Sequence, residues 1–399
     1  MGDDSIQANG AVQKTAWRLF VGSLLNEGAI GFFFTLWPLY IASLGAAPSE
    51  IGLVIGTAGI LRLLFLLPAG WLVDRLPLRL LIAGMRAVAA VGFGLCALAR
   101  EWWQLFPGIV AISLGVVAFP ALSTLIAGLT SEGEARTRYF TLIYTVAPSI
   151  ATIVTPAAAG WLAEQWGLRA TLVAASAATA SAALIFASLR LPANLAVKRG
   201  EGSYRQLLTI RPIVLSAILM VGTIGGIMVG WVLAPNYLQE VHGLRLEQIG
   251  WLGSIAAVGS TALSLAVSRN RWLQDPFNTL LVATGAVVVG FLLLLVGNHF
   301  ALFVLAYVLR GGFLVAWSAF YALFGLLTPE QLRSRVFAVA EILGGLGSTI
   351  APFLAGILYE LDTRLPIIAG LVCTAIVVVT TRLVQRRTRQ PLAFAGTLR

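Results

Sequence analysis

The chain has 399 residues, 58% hydrophobic and 11% charged, with a formal net charge of +10. The charged side chains are too few to coat the two or three soluble domains that this length implies, which excludes an ordinary soluble enzyme, a disordered chain and a nucleic-acid-binding protein. The positive surplus is therefore read by its position along the chain, as in a membrane protein.

The first sixteen residues are polar. The apolar run that follows, 17–44, is too long for a signal h-region and reads as a first spanning helix. Eleven more runs of spanning length follow, at 51–73, 79–99, 103–128, 138–163, 168–189, 212–239, 248–268, 277–296, 300–327, 335–359 and 365–384. Several exceed 25 residues, which implies tilt or ends that project past the lipid. With the N-terminus in the cytoplasm, 21 of the 27 Lys and Arg fall in cytoplasmic segments. Arg100, Arg169, Arg245 and Arg364 fall outside, and Arg62 and Arg310 lie mid-span. This bias places both termini in the cytoplasm of a cell whose inner membrane holds the chain.

The expected fold is all-α and integral to the membrane, with twelve transmembrane helices in two pseudo-symmetric six-helix bundles. Residues 1–190 form the first bundle, 191–211 a cytoplasmic linker, and 212–399 the second bundle with a basic tail. The linker carries Lys198, Arg199 and Arg205 and reads as a solvated basic loop near anionic headgroups.

The two halves repeat at an offset of about 197 residues. Pro38-Leu39-Tyr40 matches Pro235-Asn236-Tyr237. Gly45 with Glu50-Ile51-Gly52 matches Gly243 with Gln248-Ile249-Gly250. Arg136-x-Arg138-x-Phe140 matches Arg333-x-Arg335-x-Phe337, and Pro156-x-x-x-Gly160 with Glu164 matches Pro352-x-x-x-Gly356 with Glu360. Four matches in one order indicate duplication, which puts a substrate site where two such halves meet, near the bilayer midplane.

The segment after the second span reads Gly70-x-x-x-Asp74-Arg75-Leu76-Pro77-Leu78-Arg79. Gly70 allows close helix approach, Asp74 can face the positive start of another helix, and Arg75 and Arg79 anchor in the headgroup zone. This motif resembles the Gly-x-x-x-Asp-Arg/Lys-x-Gly-x-Arg/Lys pattern of the major facilitator superfamily, with Pro77 in place of the glycine. The resemblance extends over essentially the whole chain. It implies that Asp74 meets the start of the eleventh span, Thr328-Pro329-Glu330, when the cytoplasmic gate is shut. Only one copy of the motif is intact, because Arg269-Asn270-Arg271 lacks the glycine and the aspartate. Drug antiporters of the superfamily carry Gly-Pro-x-x-Gly-Gly in the fifth span. Here Pro148, Pro156 and Gly160 stand with alanines around them, and Pro352 and Gly356 lie in the eleventh span. Such residues give bends and tight crossings, but the departure weakens the case for antiport.

Five ionisable residues lie inside spans: Glu27, Arg62, Arg86, Arg310 and Glu341. Charges there are costly and face the bundle interior or water. Glu27 and Arg62 share a depth of roughly 15 Å from the cytoplasmic end, so they can pair; Arg86 and Glu341 lie at about 10 Å. Glu27 is the expected proton-coupling carboxylate, because burial and a neighbouring arginine act oppositely on a carboxyl's proton affinity. Glu341 is the second candidate. Arg310 stands mid-membrane beside Gly311 and Gly312, in a helix that lines the cavity of superfamily members. It would favour an anionic substrate, or pair with Glu27 or a backbone carbonyl.

Asn26, Phe33, Trp37 and Tyr40 in the first span, Tyr144 in the fifth, Trp231 and Tyr237 in the seventh, and Phe313, Trp317 and Tyr321 in the tenth are the substrate-cavity candidates. Such a site suits lipophilic molecules, while any one aromatic can equally pack the core. Two cysteines and two histidines offer no disulfide framework and no metal site. No Gly-Lys-Ser/Thr loop and no hydrolase constellation occurs, so nucleotide, nucleic acid and cofactor are not expected, and the energy source is the proton gradient. The expected function is secondary active transport by a monomer through alternating access, as proton-coupled export of lipophilic compounds. Proton-coupled movement of an organic anion or other metabolite is the alternative within transport, and a non-transporting receptor on the same fold is the alternative outside it.

Overall fold

A computed structural model describes residues 2–129, 134–189, 211–328 and 333–395. Every regular element among them is helical. This is the outcome that hydrocarbon imposes, since a backbone amide that cannot meet water must bond within its own helix. The linker at 191–211 lies outside the described residues up to 210, as do Pro329 and Glu330.

The helices in chain order are α1 (Gly2–Phe34), α2 (Trp37–Ser43), α3 (Pro48–Arg75), α4 (Leu78–Leu98), α5 (Leu105–Leu114), α6 (Ala118–Leu129), α7 (Glu134–Thr141), α8 (Ala147–Trp166) and α9 (Leu168–Ala187). They continue as α10 (Arg211–Trp231), α11 (Ala234–Glu240), α12 (Leu246–Arg269), α13 (Pro276–Val296), α14 (Phe300–Arg310), α15 (Gly312–Leu327), α16 (Arg333–Leu361) and α17 (Leu365–Ala395). Eleven of the described segments are long and apolar enough to cross a membrane, or twelve when α1 and α2, bent by 50° at their junction, are taken as one span.

The junction between α1 and α2 has a counterpart between α10 and α11. Pro38 and Pro235 stand at the first turns of α2 and α11, and the residues before these helices, Leu36 and Leu233, share one conformation (φ −99, ψ 0 and φ −102, ψ 9). Proline has no amide hydrogen and cannot continue the ladder, so both spans break at the same place. After each short helix the chain reverses through a left-handed glycine, Gly45 (φ 82) and Gly243 (φ 64).

The starts of α3 and α12 are also matched. The Ala47 amide donates to Glu50 Oε2 at 2.7 Å, and the Arg245 amide to Gln248 Oε1 at 3.0 Å. Each satisfies one of the four amides that a helix start leaves bare. A distant carboxylate satisfies another. Glu360 Oε1 accepts from the Ser49 amide (3.1 Å) and the Ser49 hydroxyl (2.5 Å), and Glu164 Oε2 accepts from the Glu247 amide (3.4 Å). The duplicated residues of the sequence thus come together as one device used twice.

The chain divides into two compact units. Unit 1 comprises Met1–Ala46, Ile60–Arg199 and Leu244–Ser254; unit 2 comprises Ala47–Gly59, Gly200–Gly243 and Ile255–Arg399. In unit 1, α1 packs on α8 and α9, and α4 on α5 and α9. Leu81, Ala121, Leu125, Ile143 and Phe186 build its core. In unit 2, α10 packs on α16 and α17, and α13 on α14, α15 and α17. Met220, Ile224, Leu280, Phe320 and Phe324 build that core.

Glycines set the closest crossings inside each unit. In unit 1 a Cβ on Gly160 would lie 2.7 Å from the Leu246 carbonyl oxygen, and one on Gly250 would lie 2.5 Å from that of Pro156. In unit 2 a Cβ on Gly356 would lie 2.5 Å from the Pro48 carbonyl oxygen, and one on Gly52 would strike the Pro352 carbonyl. Pro156, Gly160, Pro352 and Gly356 therefore sit at the crossings where the carboxylate caps are made. Gly70 does not behave as expected from the motif: it is exposed, and a Cβ there would meet nothing within 4 Å.

These contacts separate two substitutions. Gly160→Val puts a side chain against backbone that cannot yield, and we expect it to destabilise the purified protein by about 1–3 kcal/mol. Gly70→Ala enters open space in a helix and is expected to leave stability unchanged or raise it by up to about 1 kcal/mol. Thermal unfolding in detergent measures both.

Candidate functional site

The polar residues inside unit 1 converge on Glu27. It is half-buried on α1, and the buried Asn26 beside it donates from Nδ2 to Glu27 Oε1 at 3.2 Å. Its leading electrostatic partner is Arg86 of α4, with Arg62 of α3 a weaker one. Of the two arginines that depth allows as partners, Arg86 therefore acts on Glu27 more strongly than Arg62 does. Arg62 is exposed, whereas Arg86 reaches inward with its Nε buried and without a hydrogen-bond partner among the described residues. A 3₁₀ turn at Gly115–Val117, between α5 and α6, lies beside it. A Cβ on Gly115 would lie 3.7 Å from Arg86 Nη1.

Tyr144 completes the cluster from a π-helical turn, Leu142–Val146, in which the Ala147 amide reaches back to the Leu142 carbonyl. Pro148 explains the turn: it has no amide to offer the carbonyl four residues earlier, so the ladder slips by one residue. The Tyr144 hydroxyl lies 2.8 Å from Ser123 Oγ and donates to the Phe119 carbonyl at 3.3 Å. Its ring packs edge-on to Phe119 (5.1 Å) and stacks on Phe140 (5.8 Å). Arg86 and Glu27 both act on it electrostatically. Ser123 and Gly115 were not among the residues expected from the sequence. Nothing local marks them, because their roles depend on which neighbour reaches them.

In unit 2, Glu341 of α16 accepts from the Tyr321 hydroxyl at 2.5 Å, and the Tyr321 ring stacks on Phe337 at 5.7 Å. Trp317 packs against Gly344 and meets Phe313 edge-on at 5.9 Å. Arg310 ends α14 and lies over two rings, with its guanidinium carbon 5.2 Å from the Trp231 centre and 5.4 Å from that of Tyr307.

Four aromatic candidates are packed inside their units rather than facing open space. Trp37 is 6% exposed, Tyr40 2%, Trp231 1% and Tyr237 1%. Tyr40 donates to the Cys96 carbonyl at 2.7 Å, and Trp231 stacks on Phe291 at 5.3 Å. Phe33, Tyr144, Phe313, Trp317 and Tyr321 remain half-buried. At the motif after α3, Asp74 is exposed and Arg75 lies over the Trp71 ring at 4.3 Å. Arg79 donates to the Leu189 carbonyl at 3.4 Å, and Arg18 to that of Ser188 at 3.1 Å. Two arginines thus serve the bare carbonyls at the end of α9, where cations are favoured. The segment expected to face Asp74 includes Pro329 and Glu330, outside the described residues.

A sequence profile described as the Major Facilitator Superfamily matches residues 19–274 and 217–397. Inner membrane transport protein YajR of Escherichia coli (strain K12) is 31% identical over 134 residues, which is 33% of this chain and 29% of that protein. Among solved structures, the nucleoside transporter NupG matches with a TM-score of 0.73 at 17% identity, covering 92% of this chain and 98% of that one. A bacterial homolog of the human lysosomal transporter Spinster, inward-facing and unoccupied, matches with a TM-score of 0.74 at 16% identity, covering 94% and 97%. A POT family transporter in complex with a thioalcohol-conjugated peptide gives 0.72 at 14%, covering 94% and 96%.

One titratable group outside the spans bears on any pH experiment. His242, in the loop after α11, lies between the rings of Tyr237 (5.2 Å) and Phe303 (4.7 Å). Burial, aided by the Arg364 charge, holds its imidazole below the ordinary value of 6.5. A lowered value in the folded state means that the unfolded chain binds the proton more readily. The contribution is present above 6.5 and is lost as pH falls through that value and the lower folded one. We expect the melting temperature to drop between about pH 7 and 5, and His242→Gln to shallow that drop. Melting curves across this range check it.

Proposed function

We propose that this chain, which belongs to the Major Facilitator Superfamily and is a multi-pass membrane transporter rather than an enzyme, moves a small organic molecule by alternating access in exchange for protons. The observation that carries this reading is the Glu27 cluster. A carboxylate on a membrane helix accepts a hydrogen bond from the Asn26 amide and feels the charge of Arg86 on α4. Its proton affinity depends on how near that cation stays. A movement of α1 against α4 that changes the Glu27–Arg86 separation would load a proton in one state and release it in the other. Tyr144 and Ser123 provide a hydroxyl pair beside the same two charges.

The proton gradient supplies the energy in this reading, and no cofactor is required. The chain works as a monomer in the inner membrane, oriented with both termini in the cytoplasm by the excess of basic residues in its cytoplasmic segments. Export of lipophilic compounds is the task we assign, supported by the half-buried aromatic side chains of both units. Solved relatives named for nucleosides and peptides support a small organic cargo. A second reading, symport or facilitated movement of an organic anion, is favoured by Arg310, a membrane-embedded guanidinium whose neighbours are rings.

Proteoliposomes with an imposed pH gradient test the coupling. Glu27→Gln is expected to abolish accumulation against a concentration gradient while downhill exchange persists. Uptake with the same pH dependence as the unmodified protein removes Glu27 from the coupling step.

A further inference from the structure

Arg310 lies at a one-residue interruption of the tenth span, where the Gly311 amide donates to the Val308 carbonyl at 3.1 Å. Its surroundings are tightly fixed. A Cβ on Gly259 of α12 would strike the Val308 carbonyl, and one on Gly311 would strike the Ser260 amide. The guanidinium is 5.2 Å from Trp231 and 5.4 Å from Tyr307, and these two rings are 5.1 Å apart at 80°. The three groups form a triangle of nearly equal sides within unit 2. Phe291 backs the Trp231 ring at 5.3 Å.

The triangle is rich in donors. Guanidinium and indole only donate, and the phenol oxygen is the one atom that can also accept. Trp231 and Tyr307 are 1% and 0% exposed. Neither Trp231 Nε1 nor the Tyr307 hydroxyl has a hydrogen-bond partner among the described residues. No hydrogen bond or ion pair to Arg310 occurs among them either, and Tyr307 is the one titratable group that reaches it electrostatically. Buried donors without acceptors are rare in folded proteins, and each carries a cost.

Ring faces can hold a cation without using its hydrogen-bonding capacity. The planar fork of N–H groups remains free for an acceptor in its own plane, and a carboxylate fits that fork with two parallel bonds. The Trp231 Nε1 and Tyr307 hydroxyl are fully buried, whereas Arg310 is only half-buried and no nitrogen of its fork is among the fully buried unpartnered atoms. We propose that Arg310, held by Trp231 and Tyr307, recognises a carboxylate on the transported molecule. This rests on the second transport reading, the organic anion, and narrows that cargo to carboxylic acids. The lipophilic remainder of such a molecule is what Phe313, Trp317 and Tyr321, the half-buried aromatic residues of the same unit, would accommodate.

Binding in detergent, with no gradient, tests the assignment on the full-length protein. The probes are benzoate and hexanoate against benzamide and hexanamide, at matched ionic strength, read as concentration-dependent thermal stabilisation. The acids are expected to stabilise the protein and the amides not. Arg310→Lys keeps the charge but loses the fork, and is expected to bind the acids about tenfold more weakly. Arg310→Gln is expected to lose the acid preference; should it fail to fold, the lysine variant decides. Equal stabilisation by acids and amides, no stabilisation by any acid, or acid binding at full strength in Arg310→Lys would overturn the proposal. Glu27→Gln is expected to keep the acid preference while losing pH-driven accumulation, so failure of the coupling reading and failure of this one give different results.

Discussion

In hydrocarbon a peptide group has no water to turn to, and every amide and carbonyl must find its partner within the protein. Helix interiors meet this demand unaided, but helix ends do not. The exposed helix ends of this chain are served by side chains. Glu50 and Gln248 reach back to the amides before α3 and α12, Glu360 and Glu164 reach the same helix starts from elsewhere in their units, and Arg18 and Arg79 attend the carbonyls that end α9. The proline breaks at α2 and α11 are tolerated because each short helix restarts its own ladder, Tyr40 bonding to Leu36 and Tyr237 to Leu233.

The same scarcity governs the charges that remain inside the spans. Three of them meet different chemistry: Glu27 accepts from an amide and feels a guanidinium's charge, Glu341 accepts from a phenol, and Arg310 lies over two ring faces. Neither Glu27 nor Arg310 sits in a closed, bidentate ion pair among the described residues, the kind that would hold a charge permanently. Partners of this kind can be exchanged at modest cost, which is the property a carrier needs. A transporter must stabilise its charges in each state without trapping them in one.

Spans, their number and the duplication were legible in the sequence, because apolar run length and a repeat in fixed order follow directly from bilayer thickness and backbone sterics. Pro38 and Pro235, Gly45 and Gly243, and Glu164 and Glu360 matched in the sequence and perform matched roles in the fold. The identity of Glu27's partner was not legible. Depth along a helix can be counted from its end, but the direction in which a side chain faces depends on how neighbouring helices are rotated, and by depth alone Arg62 outranked Arg86. Tyr144 is placed by a π-helical turn whose only sequence signal is Pro148. The aromatic candidates divide for a similar reason: composition cannot separate Trp231 and Tyr237, sealed in packing, from Trp317 and Tyr321, which keep an open side. Gly70 had the spacing of a close crossing, but among the described residues nothing lies within 4 Å of where its Cβ would stand.

The duplicated carboxylate caps are not of equal strength. Glu360 holds Ser49 by both amide and hydroxyl, while Glu164 holds Glu247 by the amide alone at 3.4 Å. Duplication thus supplied two fasteners on one plan, and the serine in one copy made it the tighter. On heating, the α12 start is expected to part from its distant carboxylate before the α3 start does, so two copies of one fastener do not open together.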